Sequence, residues 1–287
     1  MTKVFAAVLS AACFGLLPDF LKQFLKRNNY IHASMICTVS ALAGALTVTC
    51  INGDLSAFPD ITNEVLRYLV FGGALLTGFF LLFSVALSAG ETVLVGPIVN
   101  LCRAAVVFSV AAVRGNGFAL PALISAAVFV SGTAMMECKA EKKPSIRWVW
   151  SSFGAMICLT GYFFLNRTVT VLATVQTDFR IFMETLIAAG LTAMVEILSV
   201  SFVTKKRRKK IEWKMTPAVA AAVLIPAVTA CVRIPEESEF VYGLVTCMAL
   251  PVSVLAAKMM NREQITAVSA AGLVIAFAGM IGLTALR

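Results

Sequence analysis

Apolar runs of roughly 20 residues, each closed by a short polar patch, recur along the whole chain, and a run of that length is what a membrane-spanning helix needs. The pattern predicts ten helices, over residues 4–24, 31–51, 65–87, 93–113, 119–137, 148–166, 175–202, 216–234, 239–259 and 265–286. The least regular stretch is 148–202. There Asn166-Arg167-Thr168 interrupts the apolar pattern, and Asp178, Arg180 and Glu184 then fall inside the following span. The clearest linker is the charged segment Glu137-Cys138-Lys139-Ala140-Glu141-Lys142-Lys143-Pro144 near the middle of the chain. It divides the protein into a five-helix unit over 1–137, a linker over 138–147 and a second five-helix unit over 148–287. The predicted fold class is all-α integral membrane protein.

Composition agrees and narrows the field. Of 287 residues, 60% are apolar and 14% charged, against about 45–50% and about 25% in soluble domains. The spans use up most of the length and leave no soluble domain, which excludes a globular enzyme and a nucleic-acid-binding module. The start, Met1-Thr2-Lys3 followed by an apolar run with Ser10-Ala11-Ala12-Cys13, superficially resembles a lipoprotein leader. Apolarity continues straight through Cys13, so the segment is read as the first membrane helix. The eight cysteines show neither clustered nor matched spacing, so they read as reduced packing residues, and no metal or cofactor is expected.

Two five-helix units invite a test for duplication, because repeats should show a constant offset. Glu91 and Arg114 bracket the fourth span, Glu239 and Arg262 the ninth, and each pair is 148 residues apart. Gly132 and Gly279, in the fifth and tenth spans, are 147 apart. Five is odd, so the second copy would cross the membrane in the opposite sense. Inverted repeats of this kind place a binding site between the halves near the bilayer midplane.

Two stretches are specific enough to carry a resemblance. One is Phe83-Ser84-Val85-Ala86-Leu87-Ser88-Ala89-Gly90-Glu91, leading into a helix that contains Pro97. The other runs from Leu250-Pro251 through Asn261-Arg262-Glu263-Gln264-Ile265-Thr266 to Ala270-Ala271-Gly272-Leu273-Val274-Ile275-Ala276-Phe277-Ala278-Gly279. With these the chain resembles the EamA-like branch of the drug/metabolite transporter superfamily over essentially its whole length. The resemblance implies ten helices, a cavity lined by spans one, three, four, six, eight and nine, and both termini in the cytoplasm.

The charge distribution argues for the opposite orientation. Sixteen of the 24 basic residues fall in the loops after spans one, three, five, seven and nine, the densest being Lys205 to Lys210. Seven, including Arg67, Arg167 and Arg180, fall on the other side, and Arg103 lies within span four. Positive loops stay cytoplasmic, so both termini are expected outside and the Lys205–Lys210 loop inside. The acidic loop with Asp54, Asp60 and Glu64 supports this. If the source is bacterial, the membrane is the inner, cytoplasmic one.

Ionisable groups within spans are expensive, at least ~2.5 kcal/mol on insertion scales, and are functional candidates by default. Arg103 lies ten residues from either end of span four, with Asn100 one turn before it and Pro97 three residues further back. Together they could hold a carboxylate or phosphate, or Arg103 could pair internally with an acid such as Glu184. Thr177, Asp178, Arg180 and Glu184 share span seven. Arg180 and Glu184, at i and i+4, either neutralise each other structurally or leave Glu184 free to carry one proton per transport cycle. Phe14 beside Pro18 and Asp19 in span one, and Tyr162 and Asn166 in span six, are candidate lining residues. Glu196 reads as lying near a membrane surface or at a helix contact, and His32 as interfacial, with no partner in the sequence.

No Walker loop, zinc motif or nucleophile elbow occurs. The expectation is a secondary, non-ATP transporter or exporter, not an enzyme, working by alternating access on a small amino-acid-like or other carboxylate solute. Its candidate binding residues are Asn100, Arg103, Tyr162, Asn166, Thr177, Arg180, Glu184 and Phe14. Its partners are that solute and the lipid bilayer, with possible proton coupling; the sequence leaves the oligomeric state open, a monomer being plausible. The alternative is a proton-coupled exporter of lipophilic cations acting through Glu184. A non-transporting scaffold or a lipid-modifying enzyme would need catalytic groups clustered at one membrane face, and the acids and the lone His here are scattered.

Overall fold

The computed structural model describes residues 2–102, except 53–62, together with 105, 120–137, 146–172, 177–202, 213–231 and 247–285. Among the described residues the chain forms ten α-helices and a short 3-10 turn at Trp213–Met215. The helices are α1 (Thr2–Leu25), α2 (Tyr30–Asn52), α3 (Asn63–Ala89), α4 (Thr92–Asn100), α5 (Leu120–Glu137), α6 (Ile146–Leu172), α7 (Thr177–Phe202), α8 (Thr216–Cys231), α9 (Ala249–Asn261) and α10 (Ala267–Ala285). Each falls on one predicted apolar run. α6 begins two residues before the predicted unit boundary and continues past Asn166-Arg167-Thr168. Polar side chains do not disturb the backbone hydrogen bonds of a helix, so those three do not interrupt it.

Prolines place several helix starts. Pro121, Pro217 and Pro251 each lie in the first turn of α5, α8 or α9, where backbone N–H groups have no intrahelical acceptor and the missing one costs nothing. Pro18, Pro97 and Pro226 instead lie inside α1, α4 and α8. After Pro97 the described part of α4 closes at Asn100, and the Leu101 N–H turns back to the Ile98 carbonyl at 3.1 Å. α9 ends on Arg262 in the left-handed region, φ 56°, which reverses the chain so that the Glu263 N–H returns to the Ala257 carbonyl.

Five segments are long and apolar enough to cross a membrane: Val8–Leu25, Tyr30–Ile51, Asn63–Ala89, Ile146–Leu165 and Phe179–Ser199. Leu120–Met136, Trp213–Val228 and Ala267–Leu283 are shorter apolar helices. Large apolar side chains lie on the outside as well as in the core, and small polar ones are buried between the helices. Phe71, Trp150, Ile157, Met194, Ile197 and Val274 point outward, more than half exposed, while Ser10, Thr38, Ser84, Thr92, Ser152 and Thr192 are buried. Between membrane helices, small and hydroxyl-bearing residues allow close approach and hydrogen-bond locally or across. Thr38 and Thr192 do so between α2 and α7 at 3.0 Å, and the Thr77 hydroxyl of α3 reaches the Ala188 carbonyl of α7 at 3.2 Å.

Packing joins early helices to late ones. α5 lies along α10, α2 along α7, and α4 against α9. α1 packs on α8 and α9, α2 on α8, α3 on α6 and α7, and α4 on α6. The α5–α10 crossing is the tightest by backbone approach. A methyl at Gly132 would stand 2.7 Å from the Gly272 carbonyl and 2.8 Å from the Ala276 Cα. One at Gly279 would stand 2.7 Å from the Ser125 carbonyl and from the Phe129 Cα. The main core gathers Leu21, Phe24, Phe79, Phe83, Val95 and Trp148, with a second cluster around Phe129, Leu250 and Met280.

Candidate functional site

The predicted site residues fall into three groups. Arg180 and Glu184 on α7 are brought together with Tyr162 of α6. Glu184 is 2% exposed and Arg180 5%. The Tyr162 hydroxyl hydrogen-bonds the Glu184 carboxylate, and the Arg180 guanidinium acts on it electrostatically. α3 supplies the floor, since a methyl at Gly72 would stand 2.8 Å from Glu184 Oε1. Glycine at 72 is therefore what lets the carboxylate lie flat against α3. Glu184 is five residues into the Phe179–Ser199 segment, about 8 Å along the helix axis. Arg180 is thus a buried residue of that segment, not a loop cation. That removes it from the charge tally and leaves the asymmetry pointing the same way.

Asn100 and Phe14 stand apart from this group in the described contacts. The Asn100 amide donates to the Gly96 carbonyl of its own helix at 2.9 Å, so it serves the end of α4. Phe14 is half-exposed. Arg103 lies outside the described residues, as do Asp54, Asp60, Arg114, Glu239 and the Lys205–Lys210 run. Asn166 and Thr177 are helical, and their side chains lie outside what is described.

A second polar group, which no spacing in the sequence marks, joins the ends of α1 and α9 to the start of α4. Lys22 Nζ donates to Glu263 Oε1 at 2.6 Å and to the Gly90 carbonyl at 2.8 Å. The two Glu263 carboxylate oxygens accept the Thr92 and Val93 N–H groups at 2.9 and 3.0 Å. Glu91, at the N-cap of α4, makes no side-chain capping bond. Glu263 supplies the cap from far along the chain, where a negative charge meets unpaired helix N–H groups. Beside this, Asn261 Nδ2 donates to Asp19 Oδ1 at 2.6 Å, and Gln23 Nε2 donates to the Met260 carbonyl at 3.1 Å. His32, expected to lack a partner, makes an ion-pair contact with Glu196 between α2 and α7, the helix contact being one of the two readings of Glu196. Sequence separation hid all of these pairs. Lys22 in particular reads as one more cation of a basic loop.

No family model and no curated protein matches the sequence. A solved structure described only as "Crystal structure of protein" superposes over 99% of this chain and 97% of its own, with a TM-score of 0.69 at 15% identity. At that identity the likeness is one of fold, and it extends from the first helix to the last.

Proposed function

We propose that the chain is a secondary transporter of the EamA-like kind. In this reading ten helices cross the membrane as two inverted five-helix repeats and move a small carboxylate-bearing metabolite by alternating access. The observation that carries the reading is the pattern of helix pairing. Adding or subtracting five from each helix number maps α1–α8 onto α3–α6, α1–α9 onto α4–α6, and α2–α8 onto α3–α7. The pairs α2–α7, α4–α9 and α5–α10 map onto themselves. The tight crossing agrees at residue level. Gly132 meets residues 272 and 276, Gly279 meets 125 and 129, and each of these is 147 residues from its counterpart. A molecule built this way has an interface between halves that can rock one against the other, with ligands held near its middle.

Within that frame Arg180 and Arg103 are the groups for a carboxylate solute, and Glu184 with Tyr162 is the proton-coupling pair. The basic loops, with Lys205–Lys210, face the cytoplasm and both termini lie outside. A second substrate class, lipophilic cations, is favoured by one observation: Glu184 is a buried acid with an aromatic side chain bonded to it, a combination that suits an organic cation. Flux measured in proteoliposomes across an imposed proton gradient separates the readings. Carboxylate flux lost in Arg103→Gln, with flux retained but no longer driven by the gradient in Glu184→Gln, is the expected result. Cation flux lost only in Glu184→Gln selects the second class. Absence of gradient-responsive flux for both classes refutes the transporter reading.

A further inference from the structure

Asp19 sits in α1, wholly buried, beside the ion pair that ties α1 to the segment after α9. Its Oδ1 is bonded to Asn261, but among the described residues Oδ2 has no hydrogen-bond partner. Two further solvent-screened oxygens share that condition. Asn261 Oδ1 belongs to the very amide whose nitrogen touches Asp19. Thr92 Oγ1 lies at the edge of hydrogen-bonding reach of Asp19, too loosely placed to form a regular bond with it. Buried oxygens gathered at one junction with their hydrogen-bonding capacity unused are costly, and a cation among them would remove that cost.

The charge balance points the same way. The charged groups that act on Asp19 among the described residues are Lys22, from its own helix, and Glu263, from beyond α9. α4 brings Thr92, which is neutral. Lys22 and Glu263 are bonded to each other, so the cluster carries one negative charge more than it cancels. Among the described residues no three His, Cys, Asp or Glu side chains come together, which disfavours a divalent or transition-metal ion. One carboxylate oxygen, one amide oxygen and one hydroxyl oxygen instead suit a single small monovalent cation.

We propose that Asp19, Asn261 and Thr92 form a monovalent-cation site, filled by one proton or one Na+, at the junction of α1, α4 and α9. The site is separate from Glu184, which belongs to α7. The bond from Asn261 to Asp19 also ties α1 to α9, so loading the site alters the strength of that tie. The proposal does not depend on transport: a chain that moves no solute would still bind the ion.

The test is infrared difference spectroscopy on the purified full-length protein in lipid nanodiscs, titrated from alkaline to acid pH in choline chloride and again in sodium chloride. Isotope-labelled aspartate assigns any protonated-carboxyl band to aspartate in the unsubstituted protein. Asp19→Asn and Thr92→Val then localise it, with Glu184→Gln as a control that should retain it. One carboxyl band per chain that moves with the aspartate label and is lost in Asp19→Asn supports a proton site. Suppression of that band by sodium but not choline at constant pH, weakened in Thr92→Val, supports Na+ at the same oxygens. A spectrum with no label-sensitive band at any pH and no difference between the two salts overturns the proposal. That last result, like the first, is read on the unsubstituted protein, so it stands even if Asp19→Asn fails to fold.

Discussion

Replacing Gly132 by alanine should loosen the α5–α10 crossing more than any other single methyl in these two helices except one at Gly279. The added carbon would stand 2.7 Å from the Gly272 carbonyl, where ordinary contact begins at 3.4 Å. The obstacle is backbone, with the Ala276 N closer still, so no rotamer can yield, and the helices must separate by at least about 0.7 Å, the difference between those distances. A gap of that size forfeits roughly a third of each dispersion well of ~0.15 kcal/mol. Over some 40 atom pairs, about what one buried leucine makes, that is about 2 kcal/mol, inside the ~1–3 kcal/mol typical of overpacking. Gly279→Ala should cost the same, because it meets the equivalent backbone atoms of the partner helix. The double substitution should cost clearly less than the sum, because the first separation makes room for the second methyl. The assay is equilibrium unfolding in mixed detergent micelles, where 2 kcal/mol is about a 30-fold shift in the unfolding constant. Gly190→Ala is the control. Nothing lies within 4 Å of its added carbon, and helix propensity alone should leave it neutral or stabilised by up to ~1 kcal/mol. Gly132→Ala unfolding with the same midpoint as Gly190→Ala would refute the argument.

Two further outcomes follow from the polar contacts. Lys22→Met leaves Glu263 with only its two backbone donors and the Gly90 carbonyl without its lysine, and should destabilise the fold by about 1–3 kcal/mol. Lys22→Met combined with Glu263→Gln should recover part of that loss in the same unfolding assay, and a strictly additive double substitution would contradict the pairing. Gly72→Ala presses on the movable end of Glu184 and not on backbone, so it should leave stability nearly unchanged while reducing gradient-driven flux. Tyr162→Phe should act in the same direction, and unaltered flux in both would remove Glu184 from the proposed coupling role.

The positions of the helices were legible in the sequence because each one coincides with a long apolar run, and α2 or α3 needs no further clue. The prolines in the first turns of α5, α8 and α9 were equally legible as starts. What could not be read was which polar residue meets which. Lys22 and Glu263, like Asp19 and Asn261, are nearly the whole chain apart, and nothing periodic links them. His32 looked solitary for the same reason. The Arg180–Glu184 pair was visible because four residues along a helix is one turn. The part played by Gly72 beneath it was not, since a glycine in an apolar helix carries no mark of what lies over it.

The pairing of early with late helices constrains how the molecule can be made. When the ribosome has completed α5, the faces of α1, α3 and α5 that contact α8, α6 and α10 still have no permanent neighbour, and lipid must cover them. At translation rates of ~5–20 residues per second, the remaining 150 or so residues take on the order of 10–30 s to follow. During that interval the small-residue face around Gly132 is open to any helix of similar shape, including α5 of another copy. α10 is the helix that closes it. A chain stalled before Ala267 would therefore be a sticky species, and its fate in the membrane depends less on its own stability than on how soon α10 arrives.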